Sequence, residues 1–152
     1  VKLKDLDDKD EYSNLIDYMD NSMIINTLKP LIKQAEILSN KYDVVITNPP
    51  YMATKYMTPK LKQYISDYFS DYKADLFAAF MVRCNEFCNP EGHIGVLAPY
   101  VWMFIQSYEK LRKYIYDNMT FSSLVQLEYN AFEAACVPVA AYTFRNKNFI
   151  II

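Results

Sequence analysis

Tyr42-Asp43-Val44-Val45-Ile46-Thr47-Asn48-Pro49-Pro50-Tyr51 is the stretch on which the reading of this chain turns. Val44 to Thr47 is a β-branched run, which predicts a strand. Proline has no N–H for a ladder and a fixed φ, so Pro49 and Pro50 force the chain out of the sheet at once. In an open α/β sheet the carboxyl ends of the strands line the crevice where ligands bind. The strand therefore aims an amide (Asn48), two prolyl carbonyls and an aromatic ring (Tyr51) at a ligand position.

The chemistry these groups allow is specific. The Asn48 side-chain oxygen and the Pro49 carbonyl are two converging acceptors, which suit an –NH2 group with two protons to give. Accepting both hydrogens draws a delocalised amine toward tetrahedral geometry and frees its lone pair to attack an electrophile, with no strong base required. Tyr51 would stack on the flat group that carries the amine, as enzymes hold a nucleobase flipped out of a duplex. The bland alternative is a strand-to-loop turn in which Pro49-Pro50 merely ends the strand and Tyr51 packs locally. The strand-Asn-Pro-Pro-aromatic order is more specific than that alternative needs.

Outward from this stretch the chain alternates. Residues 1–20 are charged and poorly periodic, a loop or connector. Met23, Ile24, Leu28, Leu31, Ile32, Ala35 and Leu38 have helical spacing, with Asn21 or Ser22 as cap and Pro30 as a kink or break. Beyond Tyr51, residues 61–69 form a short amphipathic stretch. Residues 74–88 predict a helix whose stripe is Leu76, Phe77, Phe80, Met81, Cys84, Phe87 and Cys88, ended by Asn89-Pro90-Glu91-Gly92. A strand over 93–98, a helix over 108–117 capped by Ser107, and strands over 123–128 and 139–144 follow, the last two joined by a loop over 130–138. Alternation of this kind predicts an α/β domain with a mainly parallel sheet.

Composition sets the bounds. The 152 residues are 52% hydrophobic and 16% aromatic, enough for a packed core and too apolar for disorder. No secretory signal and no apolar run of about 18 residues stands in the sequence, which fits the cytoplasm. Cys84, Cys88 and Cys136 make neither a disulfide framework nor a metal set, and the one histidine, His93, reads as a structural residue at a strand start. Lys55, Lys60 and Lys62 follow the Asn-Pro-Pro-Tyr stretch and could meet phosphates, although a solvated face explains them too. The net charge of −2 argues that most affinity for nucleic acid comes from elsewhere. Typical usage predicts about ten glycines. The chain has two, Gly92 and Gly95, neither in a nucleotide loop.

Residues 42–51 resemble motif IV of the amino-group methyltransferases that use S-adenosylmethionine. Lys73-Ala74-Asp75-Leu76-Phe77 opening a helix, then residues 90–99, then Leu111-Arg112-Lys113, continue the resemblance. The order is similar to that of N6-adenine DNA methyltransferases, most of all the PglX type of BREX phage-exclusion systems and the related fused restriction-modification enzymes, from about Ser39 to Asn146. The resemblance implies part of a Rossmann-like fold, a mainly parallel sheet with helices on both faces and an antiparallel last strand. It implies methyl transfer to the N6 amine of a flipped adenine in DNA, with Asn48, Pro49, Pro50 and Tyr51 catalytic, Tyr51 and Phe132 against the base, and no metal. The glycine-rich S-adenosylmethionine motif has no match, so residues 1–40 read as connector and helical segment and 41–152 as the catalytic half of a domain in a longer protein. The open outer edge of the strand at Val44 would pair with another copy or be covered by residues 1–40. Two other readings stay open: methylation of a release-factor glutamine or an rRNA guanine by the same chemistry, and a non-catalytic binding module.

Overall fold

The computed structural model describes residues 15–129 and 137–147, with side chains described from Met23 onward. The chain divides into two compact units, residues 1–40 and 41–152. In the first, α1 (Leu15–Ser39) runs unbroken through Pro30. The helix thus begins within the expected connector, Asn21 and Ser22 lie inside it, and Pro30 neither breaks it nor divides it. The proline forfeits only its own N–H bond to the preceding turn, a local loss that the rest of the ladder tolerates here. No described helix is long and apolar enough to cross a membrane.

The second unit is a four-stranded sheet in the order β1-β2-β4-β3, formed by β1 (Tyr42–Thr47), β2 (Cys88–Pro99), β3 (Met119–Gln126) and β4 (Val139–Asn146). β1 pairs parallel with β2, and β4 lies antiparallel between β2 and β3. Three strands therefore run one way and only the last runs the other, as expected. Two of the three ladders are nonetheless antiparallel, because that strand is inserted between its neighbours. The outer edge of β1 pairs with no described strand.

Register decides which residues make the core. Val45, Ile94 and Phe144 lie in line across three strands, as do Val96 with Tyr142 and Ala98 with Ala140. This face is covered by α3 (Leu76–Phe87) and α4 (Glu109–Asn118), whose Phe77, Met81, Leu111 and Ile115 complete one buried cluster. Burying each such side chain is worth about 1.5–3 kcal/mol. The opposite face carries Val44, Ile46 and Val125, exposed by 56%, 77% and 56%. A second, smaller cluster joins α2 (Pro59–Tyr68) to α3 through Met57, Ile65, Leu76 and Ala79.

Three boundaries differ from those the sequence predicts. Cys88 pairs with Tyr42 and His93 with Val44, so Asn89 to Gly92 is an excursion within β2 and not a turn before it. The excursion places Glu91 at φ 66°, a left-handed conformation that L-residues adopt sparingly, and Asn146 Nδ2 donates to the carbonyls of Cys88 and Asn89 at 2.9 and 3.2 Å to hold it. Ser107 does not cap α4; it lies in the short 3-10 turn Gln106–Tyr108, and the helix starts without a side-chain cap. β3 begins at Met119, directly after α4, because the C-terminal turn feeds straight into the sheet. Cys84 and Cys88 are buried free thiols, and burial pushes Cys84 up to about 11.

Gly92 has no room for a side chain. A Cβ there would stand 2.7 Å from Cys88 Sγ and 2.8 Å from the Asp43 carbonyl, whereas one at Gly95 would meet only Ile46 Cγ1 at 3.4 Å. Gly92→Ala should therefore destabilise the fold by roughly 1–3 kcal/mol, and Gly95→Ala should cost much less. Denaturant unfolding of the two variants checks this, and equal midpoints would contradict it.

Candidate active site

The site is built from the end of β1. Thr47 pairs with Val96, so Asn48 leaves the sheet beside the last residues of β2. Asn48 and Pro50 are exposed, Pro49 is buried, and Tyr51 is 37% exposed. The Tyr51 hydroxyl lies 3.0 Å from Asn48 Oδ1 and 3.1 Å from the Leu97 carbonyl, donating its single proton to these two acceptors. Its ring meets Phe77 edge-on, with centroids 6.4 Å apart at 89°. Burial pushes the phenol above its ordinary value, so it is a neutral donor at physiological pH. Asn48 Oδ1 keeps a second lone pair for another donor, and no described residue donates to the Pro49 carbonyl.

The residues after Tyr51 are pinned to the start of α3. Asp75 caps that helix, its Oδ1 accepting from Phe77 N–H at 3.3 Å and from Met52 N–H at 2.8 Å. Leu76 N–H donates to the Met52 carbonyl at 2.9 Å, and Thr54 N–H to the Ala74 carbonyl at 3.4 Å. The Thr54 hydroxyl also donates to the Lys73 carbonyl. Ala53 and Asp75 form an isolated antiparallel bridge, and Met52 packs against the cluster of Met57, Ile65, Leu76 and Ala79. Tyr108 stacks near Phe77 with centroids 5.5 Å apart; burial first, and the charge of Asp75 second, push it up to about 12.

Asn48 and Tyr51 thus come together as the sequence predicts. The sequence reading assigns no role to Leu97, whose carbonyl becomes visible only once β1 and β2 are in register. Asp75 stands in the sequence as part of the opening of a helix and Phe77 as part of its apolar stripe, and an aspartate directly before an apolar run is itself a cap signal. Lys55, Lys60 and Lys62 are exposed, Lys55 in the 3-10 turn Thr54–Tyr56 with its Nζ 4.8 Å from the Tyr56 ring centre, the other two on α2. His93 is exposed in β2 between Val44 and Arg145. Phe132 lies outside the described residues.

The model of the Eco57I restriction-modification methylase matches residues 2–132. The chain belongs to that family. It is 38% identical over 124 residues to the adenine-specific methyltransferase BrxX of Escherichia coli O9:H4 (strain HS), covering 80% of this chain and 10% of the relative. It is 35% identical over 86 residues to the adenine-specific methyltransferase PglX of Lacticaseibacillus casei (strain Zhang), covering 57% and 7%. The chain therefore spans about a tenth or less of the length of these relatives. A Listeria monocytogenes protein described as a class I S-adenosylmethionine-dependent methyltransferase superposes with a TM-score of 0.59 at 14% identity, over 76% of this chain and 35% of that one. That likeness places the α/β unit in the Rossmann-like methyltransferase fold.

Among the described residues the two glycines form no loop of the kind that receives a nucleotide-like ligand. A dinucleotide-type loop needs glycines facing open space for the ligand, and both glycines here face neighbouring strand atoms instead.

Asp75 links the site to pH. Burial pushes its carboxyl above the ordinary 3.8, although the N–H groups of Met52, Phe77 and Leu76 pull it back. The folded state then holds that proton more tightly than the unfolded chain, so the contribution is favourable in acid and is lost as pH rises through the folded value. Asp75→Asn keeps an acceptor and does not titrate. The stability of the wild type relative to this variant should fall between about pH 4 and neutrality. Denaturant unfolding across that range measures it, and a wild-type stability that rises with pH relative to the variant would contradict the assignment.

Proposed function

We propose that this chain is the catalytic half, residues 41–152, of a methyltransferase domain in a longer protein that transfers a methyl group from S-adenosylmethionine to the N6 amine of adenine in DNA, within a restriction-modification or phage-defence system of the cell interior. The observation that carries the reading is the open end of β1, where Asn48 Oδ1 has a lone pair to spare and Tyr51 is anchored by its hydroxyl with part of its ring exposed. Family membership and the adenine-specific relatives support adenine over other amine carriers.

In this reading the target amine donates one hydrogen to Asn48 Oδ1 and the other to the Pro49 carbonyl. Its lone pair then localises on nitrogen and points away from both acceptors. S-adenosylmethionine supplies an electrophilic methyl group. The Tyr51 ring carries the base by stacking, and Asn48 and Pro49 orient the nucleophile. Lys55, Lys60 and Lys62, exposed beside the site, are proposed to meet DNA phosphates. The isolated 152 residues are proposed to be inactive, since neither of their two glycines stands in a ligand loop.

In the longer protein, Asn48→Ala should abolish methyl transfer while leaving S-adenosylmethionine binding and folding in place. Labelled-methyl incorporation into unmethylated DNA at near wild-type rate would sink the reading. Tyr51→Phe should keep most activity, whereas Tyr51→Ala should lose stacking worth on the order of 1–3 kcal/mol. Equal damage from both would point to the hydroxyl instead of the ring. The isolated chain should give no heat with S-adenosylmethionine in calorimetry; binding at micromolar concentration would contradict the proposed division.

A further inference from the structure

We propose that Asp75 is a positioning residue for Tyr51, and through it for the target base; the inference rests on the reading of Tyr51 as the ring beneath that base. A single oxygen, Asp75 Oδ1, accepts from Met52 N–H at 2.8 Å and from Phe77 N–H at 3.3 Å. Met52 is the residue bonded to Tyr51, and Phe77 is the ring on which Tyr51 rests. One atom therefore fixes both the backbone that follows Tyr51 and the backbone that carries the Phe77 ring against the edge of Tyr51. Leu76 N–H closes the other side of Met52 through its carbonyl at 2.9 Å, so both backbone groups of that residue are held.

The choice of a carboxylate supports this role. Capping α3 alone requires only a short acceptor, and serine or threonine would satisfy Phe77 N–H without placing a charge in a half-buried site. Asp75 reaches further, and its extra reach is spent on Met52, which lies 23 residues away in the sequence. The β1 side of the clamp is made by the Tyr51 hydroxyl on Asn48 and Leu97. Tyr51 is thus held at its hydroxyl, at its ring edge and at the peptide that follows it. Only the last two depend on Asp75.

The test uses the full-length protein with two substitutions at this position. Asp75→Asn keeps an acceptor of the same reach. Asp75→Ser keeps the cap on Phe77 but is too short to bridge to Met52 as well. In methylation of unmethylated genomic DNA, Asp75→Asn should stay within about threefold of wild type, whereas Asp75→Ser should lower kcat roughly 10- to 100-fold, the scale set by misplacing a reacting group by about 1 Å. KM for DNA and S-adenosylmethionine affinity should change little in both. Wild-type kcat in Asp75→Ser overturns the proposal, as does Asp75→Asn as impaired as Asp75→Ser. S-adenosylmethionine affinity falling in parallel with kcat overturns it too, since it marks a general structural role. Asn48→Ala, run alongside, separates the two ideas. If it is inactive while Asp75→Ser is fully active, only this inference fails; if Asn48→Ala is fully active, the reading of the site fails and takes the inference with it.

Discussion

The parallel register of β1 on β2 is the constraint on which the rest depends. With Val45 opposite Ile94 and Thr47 opposite Val96, the covered face receives Val45 and the end of β1 is delivered beside Leu97. A slip of one residue would turn Val44 and Ile46 toward α3 and carry Asn48 away from the Leu97 carbonyl. Pro49 and Pro50 then make the exit abrupt, since neither can extend the ladder. The same register brings the Tyr51 hydroxyl within reach of β2, so a backbone pairing deep in the sheet determines the geometry of a side chain at its rim.

The exit from β1 is held by unlike forces on its two sides. On the sheet side it is a neutral hydroxyl shared between an amide oxygen and a carbonyl. On the α3 side it is a carboxylate whose burial is opposed by desolvation and offset by backbone donors. Met52 adds apolar contact with Met57, Ile65, Leu76 and Ala79. Such redundancy suits the proposed role of this segment, presenting acceptors to an amine, because conformational freedom there would be subtracted from the rate. The loop is ordered by its surroundings and not by regular structure of its own.

What was legible in the sequence was local and periodic. The β-branched run before Pro49-Pro50 marked β1 and its end, and the wide stripe from Leu76 to Phe87 marked α3, because each signal needs only neighbours in sequence. The shared direction of β1, β2 and β3 was legible as well, through the alternation of elements, whereas the reversal of β4 was implied by the resemblance alone. What escaped were features made by distant residues. The excursion at Asn89–Gly92 looked like a plain turn because Cys88 pairs with Tyr42 across 46 positions, and nothing near Cys88 announces it. Pro30 looked like a break because a local rule overstates its cost in a helix that is otherwise continuous. Asn48 and Tyr51 were legible as a pair, but the hydrogen bond between them, which ties the proposed acceptor to the proposed platform, required the loop's curvature. Asp75 was visible as a cap and invisible as a clamp, since its second partner lies on another loop.

The distribution of exposed apolar residues follows from the same architecture. Within the second unit α3 and α4 cover one face of the sheet, while Val44, Ile46 and Val125 stand exposed on the other. In doubly wound α/β domains a second layer of helices covers that face, and further strands extend the sheet past the strand that here is its edge. The two glycines are both consumed in the approach of β2 to β1, leaving none for a ligand loop. Among the described residues the bare face at Val44 and Ile46 and the unpaired edge both belong to β1. Both are what the proposed division of the domain at β1 would leave bare, with the groups that hold the amine on this side and those that hold the donor on the other.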